Sequence, residues 1–174
     1  MKRVLNGLLI TVSLIIIASC DLFPSHVKVE FDYKKFREQK ALWNSTKPGN
    51  YQYRLEYWNN GYSTPIKTMI FVENNNYKNQ IPYVDDNGYD YTSYYDLTIT
   101  EVYERIEEEY QRYNDSYQTK KYYYLKKIEI VYDTENHIPI KIKRYYFVPA
   151  NVADASSYAE TTISEYKVMV QRVR

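Results

Sequence analysis

Few residues in this chain are of a type that does chemistry. Its 174 residues include one Cys, two His and four Gly, against 22 acids. A single Cys excludes an internal disulfide framework and a thiolate zinc site. Neither His sits in a motif: His26 reads as a solvated residue and His137 as an exposed residue of a turn. No Gly-x-Ser-x-Gly elbow occurs, and so few glycines make a phosphate-cradling loop a poor reading. The run Asp85-Asp86-Asn87-Gly88-Tyr89-Asp90 invites comparison with a calcium loop. With Gly88 at the sixth loop position, Tyr83 and Tyr94 take the first and twelfth, where oxygen donors and a Glu belong. It reads as a turn with surface carboxylates. Glycoside hydrolysis needs two carboxyls about 5–9.5 Å apart, one of them with a raised pKa, and this many acids form pairs by chance. No pair is singled out. The sequence therefore assigns no catalytic residue, no metal ligand and no cofactor, and the chain is read as a non-enzyme.

The one cysteine has an informative setting. Lys2 and Arg3 precede a mostly apolar stretch, Val4 to Ile17, too short for the ~20 residues of a spanning helix and of the length of a signal-peptide core. Ile17-Ala18-Ser19-Cys20 follows, then a polar chain from Asp21. These residues resemble the lipobox of bacterial lipoproteins. The resemblance implies diacylglyceryl transfer to the Cys20 thiol, cleavage between Ser19 and Cys20, and acylation, with palmitate among the chains, of the new N-terminus. Two or more acyl chains make a durable anchor where one binds reversibly. Asp21 matches a signal that retains lipoproteins in the inner membrane of some double-membrane bacteria. The expected location is extracytoplasmic, on the cell membrane or the outer membrane. Cleavage removes two of the 23 basic residues and none of the 22 acids, turning a formal charge of +1 into about −1. No global attraction to nucleic acid follows, and none is expected as a partner.

The expected organisation is a signal peptide over 1–19, a lipidated N-terminus and tether over 20–30, and a single domain over 31–174. Aromatic content is 17%, with 23 Tyr against five Phe and two Trp, which excludes a solvated disordered chain. A helix is predicted over Phe31 to Trp43, with Tyr33, Phe36 and Trp43 on one face and Asp32 as its cap. Tyr51 to Trp58 alternates as a strand. Asn60-Gly61 signals a tight hairpin that pairs Leu55 with Ile66, Tyr53 with Thr68 and Tyr51 with Ile70. A third strand is expected around Tyr77 to Val84. The second helix, Ile99 to about Tyr113, has Thr98 and Glu101 as a capping box and an apolar stripe from Ile99 to Tyr113. Glu101–Arg105 and Glu108–Arg112 have the spacing of helix ion pairs. Tyr122 to Tyr132 and Ile138 to Val148 form a second hairpin that pairs Ile130 with Ile140, Ile128 with Ile142 and Glu129 with Lys141. Tyr158 to Val170 is the last strand, with Thr162, Ser164, Tyr166, Val168 and Val170 on one face. The fold class is α+β, in the order α-β-β-(β)-α-β-β-β: one antiparallel sheet of about five to six strands with two helices on one face.

The elements carry a second resemblance. Leu42-Trp43, Asn50-Tyr51-Gln52-Tyr53, Thr98-Ile99-Thr100-Glu101-Val102-Tyr103-Glu104-Arg105-Ile106 and Val131-Tyr132-Asp133 before Ile138-Pro139 are similar to a group of small bacterial lipoproteins of unknown function. Some members carry a Cys-containing segment after the first Tyr strand. Here Tyr57-Trp58-Asn59 stands in its place. The resemblance implies a lipoprotein and brings no activity.

Binding surface is then sought among aromatics. In the predicted register the outer face of the second hairpin sets Tyr123 opposite Phe147 and Leu125 opposite Tyr145, with Lys127, Lys143, Glu129 and Lys141 beyond. Two readings stay open. A helix or the other half of the chain covers that end, since large exposed apolar patches are rare on monomers; or it is a recognition patch for a protein or glycan partner. The loop residues Tyr89, Tyr91, Tyr94 and Tyr95 form a second candidate patch. The expected function is a membrane-anchored, non-catalytic binding or structural module of the cell envelope. The alternative is an envelope glycan-directed enzyme or a protein inhibitor of one.

Overall fold

The computed structural model of the chain describes residues 27–61, 64–82, 97–116, 123–150, 152 and 155–169. Its elements are α1 (Tyr33–Thr46), β1 (Tyr51–Asn59), β2 (Ile66–Glu73), β3 (Asn76–Pro82), α2 (Ile99–Asp115), β4 (Tyr124–Tyr132), β5 (Pro139–Phe147) and β6 (Tyr158–Val168). The strands make one sheet in the order β3-β2-β1-β6-β5-β4, with every neighbouring pair antiparallel. The fold is the expected α+β arrangement, both helices on one face. No helix among the described residues is long and apolar enough to cross a membrane.

Local chemistry explains the helix ends. Asp32 caps α1, its carboxylate accepting the Lys35 N–H at 3.0 Å. Thr98 and Glu101 form the expected capping box on α2: Thr98 Oγ1 accepts the Glu101 N–H at 3.2 Å, and Glu101 Oε2 accepts the Thr98 N–H at 2.6 Å. That use of Glu101 takes it from Arg105, and neither predicted ion pair on α2 forms.

Core packing is aromatic. Phe36, Trp43, Tyr51, Tyr53, Tyr103 and Ile106 are fully or almost fully buried. Phe36 meets Tyr103 at 5.5 Å between centroids, Tyr33 stacks on Tyr110 at 4.8 Å, and Trp43 stands edge-on to Tyr51 at 5.6 Å. Buried tyrosines must also place their hydroxyls. The Ile99 N–H, at the start of α2, donates to Tyr51 Oη at 3.1 Å, and Tyr53 Oη donates to the Leu97 carbonyl. The Tyr103 hydroxyl donates to the His137 carbonyl at 2.5 Å. Burial pushes the ionisation of all three phenols well upward. Between the helices, Glu107 accepts from the Tyr33 hydroxyl and from Lys40, each at 2.6 Å.

The first hairpin differs from the predicted register by two residues throughout, the second by two between Lys127 and Val131 and by one at either end. Tyr57 pairs with Ile66, Leu55 with Thr68 and Tyr53 with Ile70. In this first hairpin the shift keeps each side chain on its expected face. β1 is held extended to Asn59 because β6 pairs with it that far, and Asn59 Oδ1 accepts the Gly61 N–H at 2.8 Å. The tight two-residue turn in the first half lies instead at Asn74-Asn75, both with positive φ (53° and 61°), the backbone that primed hairpin turns require. In the second hairpin Ile130 pairs with Ile142 and Glu129 with Lys143. Its turn is set by Asp133, whose carboxylate accepts the N–H groups of Glu135 and Asn136. His137 is not a free turn residue: it has φ 57° and its Nδ1 lies 3.2 Å from Gln39 Oε1 of α1.

Two bulges change which face a side chain occupies. On β4, Lys126 is an extra residue between the Leu125–Tyr146 and Lys127–Tyr145 pairs. On β6, a register shift lies between the Arg54–Ser164 and Gln52–Lys167 pairs, and Glu165 there has φ 52°. Beyond it Tyr166 turns to the helix face and packs on Trp43 and Tyr51, whereas Thr162 and Ser164 stay on the other. The predicted single face for Thr162 through Val168 is thus interrupted. Beside β4, Glu30 donates its N–H to the Lys126 carbonyl and accepts the Ile128 N–H, and Val29 is buried in the core. The end of the expected tether is therefore bound to the domain.

Replacing Tyr51 with Phe leaves the Ile99 N–H without a partner at a buried helix start, and is expected to cost about 1–3 kcal/mol in urea unfolding. Glu107 has its pKa lowered below 4.5, first by the Lys40 hydrogen bond and then by Tyr33. A depressed folded pKa contributes stability above the unfolded value and loses it as pH falls. The stability gap between wild type and Glu107→Gln should therefore be constant above about pH 5 and shrink below it, read by urea unfolding across pH.

Candidate functional site

The predicted patch on the second hairpin is divided by the bulge at Lys126. The extra residue flips Leu125 onto the helix face, where it is fully buried opposite Tyr146. Tyr123 follows it and stacks on Tyr146 at 5.0 Å; desolvation first, then neighbouring phenols and Glu109, push its pKa up to about 12. Tyr145 and Phe147 remain on the face without helices, and Tyr145 faces Lys127 rather than Leu125. The four residues do not form one patch. Ser19 and Cys20, the loop tyrosines Tyr89, Tyr91, Tyr94 and Tyr95, and the Asp85–Asp90 run lie outside the described residues.

The face opposite the helices, open among the described residues, carries a different aromatic group. β1 presents Trp58, β6 presents Tyr158 and β5 presents Tyr145. Their rings run in a row across three strands, Trp58 to Tyr158 at 5.7 Å and Tyr158 to Tyr145 at 5.3 Å. Tyr124 and Phe147 stack beside them at 5.1 Å. Charge pairs pave the rest of the face. Lys127 lies 2.8 Å from Glu129 and 3.0 Å from Glu30, Lys141 lies 3.2 Å from Glu160, Arg54 lies 2.6 Å from Glu165, and Lys67 lies 3.8 Å from Glu56. The hydroxyls of the row join this lattice: Tyr145 donates to Glu129 at 2.9 Å, and Tyr158 donates to Glu160.

These partners shift the titrations. Tyr145 is raised, first by its hydrogen bond to Glu129. Tyr158 is raised by desolvation and then by Glu160. Glu129 is held low by Lys127 and by Tyr145. For Glu160 desolvation pulls upward, but hydrogen bonds from Tyr158 and Lys141 outweigh it and the net shift is down. These are carboxylates that stay ionised, acceptors for hydroxyl groups rather than stored acids.

A shallow pocket of about 380 Å³ lies at the Trp58 end of the row, lined by Glu56, Trp58, Pro65, Tyr158, Glu160 and Thr162. Flat apolar rings with a few placed polar groups are the usual makeup of a binding pocket. Among the described residues no group of His, Cys, Asp and Glu could hold a metal ion. Trp58 and Tyr158 escaped the sequence reading, although a signal was there. Trp58 shares parity with Gln52, Arg54 and Glu56, so a large ring stands in the polar row of an alternating strand.

Replacing Glu129 with Gln removes the anion that holds the Tyr145 proton. In a spectrophotometric titration of the variant, one phenol should move down toward 10.0 relative to wild type. An unchanged titration curve would break the link between Tyr145 and Glu129.

Set against family models, curated protein sequences and solved structures, the chain finds no match in any of the three.

Proposed function

We propose that the chain is a bacterial lipoprotein of the cell envelope, held on the cell membrane or outer membrane by acyl chains on Cys20, whose domain is a non-catalytic module that binds a glycan on the open face of its sheet. The Ile17-Ala18-Ser19-Cys20 stretch and the similarity to small bacterial lipoproteins support the anchor. Six residues separate Cys20 from Val27, and the seven Cα–Cα steps of an extended chain reach at most about 25 Å, which keeps the domain close to the bilayer. The row of Trp58, Tyr158 and Tyr145 carries the binding reading. Large rings of this kind supply much contact area at little conformational cost. Beside them Glu56, Glu160 and Thr162 offer acceptors to the hydroxyls of a sugar.

The second reading is an enzyme acting on an envelope glycan, or an inhibitor of such an enzyme. Glu56 and Glu160 favour it, because both line the pocket that Trp58 and Tyr158 wall. Against an enzyme, each carboxylate has a lysine within 4 Å and the Glu160 shift is downward, whereas a general acid needs an upward one.

Metabolic labelling with palmitate should mark the wild-type chain, and Cys20→Ser should lose both label and membrane fractionation. A labelled Cys20→Ser chain would sink the anchor. Co-sedimentation with insoluble envelope glycan should weaken about tenfold or more in Trp58→Ala and Tyr158→Ala. Cleavage of that glycan by wild type, abolished in Glu56→Gln or Glu160→Gln, would replace the module with the enzyme.

A further inference from the structure

A second cavity lies on the helix side, between α2 and strands β1, β5 and β6. It measures about 430 Å³, within the range of small-molecule sites. Leu55, Val102 and Ile142 form an apolar floor, and Tyr57, Tyr113 and Tyr146 stand around it. Burial raises the pKa of Tyr113 and Tyr146, so both rings stay neutral at physiological pH.

The charged lining is unbalanced. Arg105, Arg112 and Arg144 face it against Glu108 and Glu109. Arg144 is the deepest, with 14% of its side chain exposed. Its Nε donates to Glu109 Oε2 at 2.7 Å and its Nη1 to Thr161 Oγ1 at 3.1 Å. The other oxygen of Glu109 accepts from the Tyr146 hydroxyl at 2.8 Å. A guanidinium has five N–H donors, and among the described residues Nη2 of Arg144 makes no hydrogen bond. Arg105 and Arg112 are exposed at the rim, and neither makes an ion pair among the described residues. One positive charge is therefore in excess, and the two N–H donors of Nη2 are unused deep inside.

We propose that this cavity binds a small organic carboxylate with an apolar or aromatic body, its head group on Nη2 of Arg144 and flanked by Arg105 and Arg112, its body against Tyr57, Tyr113 and Tyr146. Nη2, with the second N–H of Nη1 beside it, can hold a carboxylate through two parallel hydrogen bonds. A monoanion matches the single excess charge, whereas a phosphate dianion would also meet the carboxylates of Glu108 and Glu109. The site is on the other side of the sheet from Trp58 and does not depend on the glycan reading.

Calorimetric titration of the full chain tests it with three probes: 2-naphthoate, the neutral 2-naphthamide and inorganic phosphate. Naphthoate should saturate a single site, with the amide and phosphate at least tenfold weaker. Arg144→Lys, which keeps the charge and loses the planar fork, should lower naphthoate affinity about tenfold or more. Because Arg144 also holds Glu109, the double variant R105A/R112A provides a separate measure. Both residues are exposed, so its circular dichroism should match wild type while naphthoate binding weakens about tenfold. Absence of saturable naphthoate binding, equal binding of the amide or of phosphate, or an unaltered affinity in R105A/R112A would each overturn the proposal.

Discussion

Two phenol hydroxyls decide where the second helix begins. Tyr51 and Tyr53 are adjacent inward positions of β1 and are buried almost completely. A buried hydroxyl without a partner costs more than the ring's burial is improved by it, so each must reach a backbone group. One receives the Ile99 N–H and the other donates to the Leu97 carbonyl. The two bonds bracket Thr98, the cap of α2, and set the helix start over the middle of the sheet. The first helix is then attached to the second: Trp43 Nε1 donates to Thr100 Oγ1 at 3.1 Å, and Lys40 and Tyr33 bind Glu107. The helix layer is thus hung from one strand through polar groups inside an aromatic core.

The tyrosine bias of the composition follows from this construction. A Phe in these places would pack as well and satisfy nothing. Tyr103, on α2, works in the reverse direction, tying the helix to the turn of the second hairpin through the His137 carbonyl. On the open face the same residue type serves a different end, its hydroxyls feeding a surface lattice of carboxylates. The sheet separates two environments, and the two candidate sites differ accordingly. One is a flat row of rings among balanced charges; the other is a recess with an excess cation.

How much of this was legible depends on the range of the interaction responsible. Asp32, Thr98 and Glu101 were readable because capping is settled within four residues. Alternation along Tyr51 to Tyr57 was readable because strand parity is local, and it survived a two-residue shift of register that leaves faces unchanged. Neither candidate site was readable as a site. The Trp58–Tyr158–Tyr145 row draws one residue from each of three strands, and the pairing of β1 with β6 joins segments about a hundred positions apart in sequence. Arg144 carried no signal of its own within its Lys- and Arg-rich strand. Its parity with Ile142 put it on the inner face, yet its ion pair with Glu109 lies across the helix–sheet interface.

From its residues alone the chain determined which segments are helix and which are strand, and which face of β1 is turned to the core. Tertiary structure alone decided where parity breaks. An extra residue at Lys126 and the turned backbone at Glu165 cost local ladder bonds, and no sequence pattern within either strand announces them. They are worth that cost because Leu125 then fills the core, Tyr166 reaches Trp43, and the Lys126 carbonyl receives Glu30. Packing energy summed over distant partners chose the slip, and with it which aromatics are buried and which face solvent.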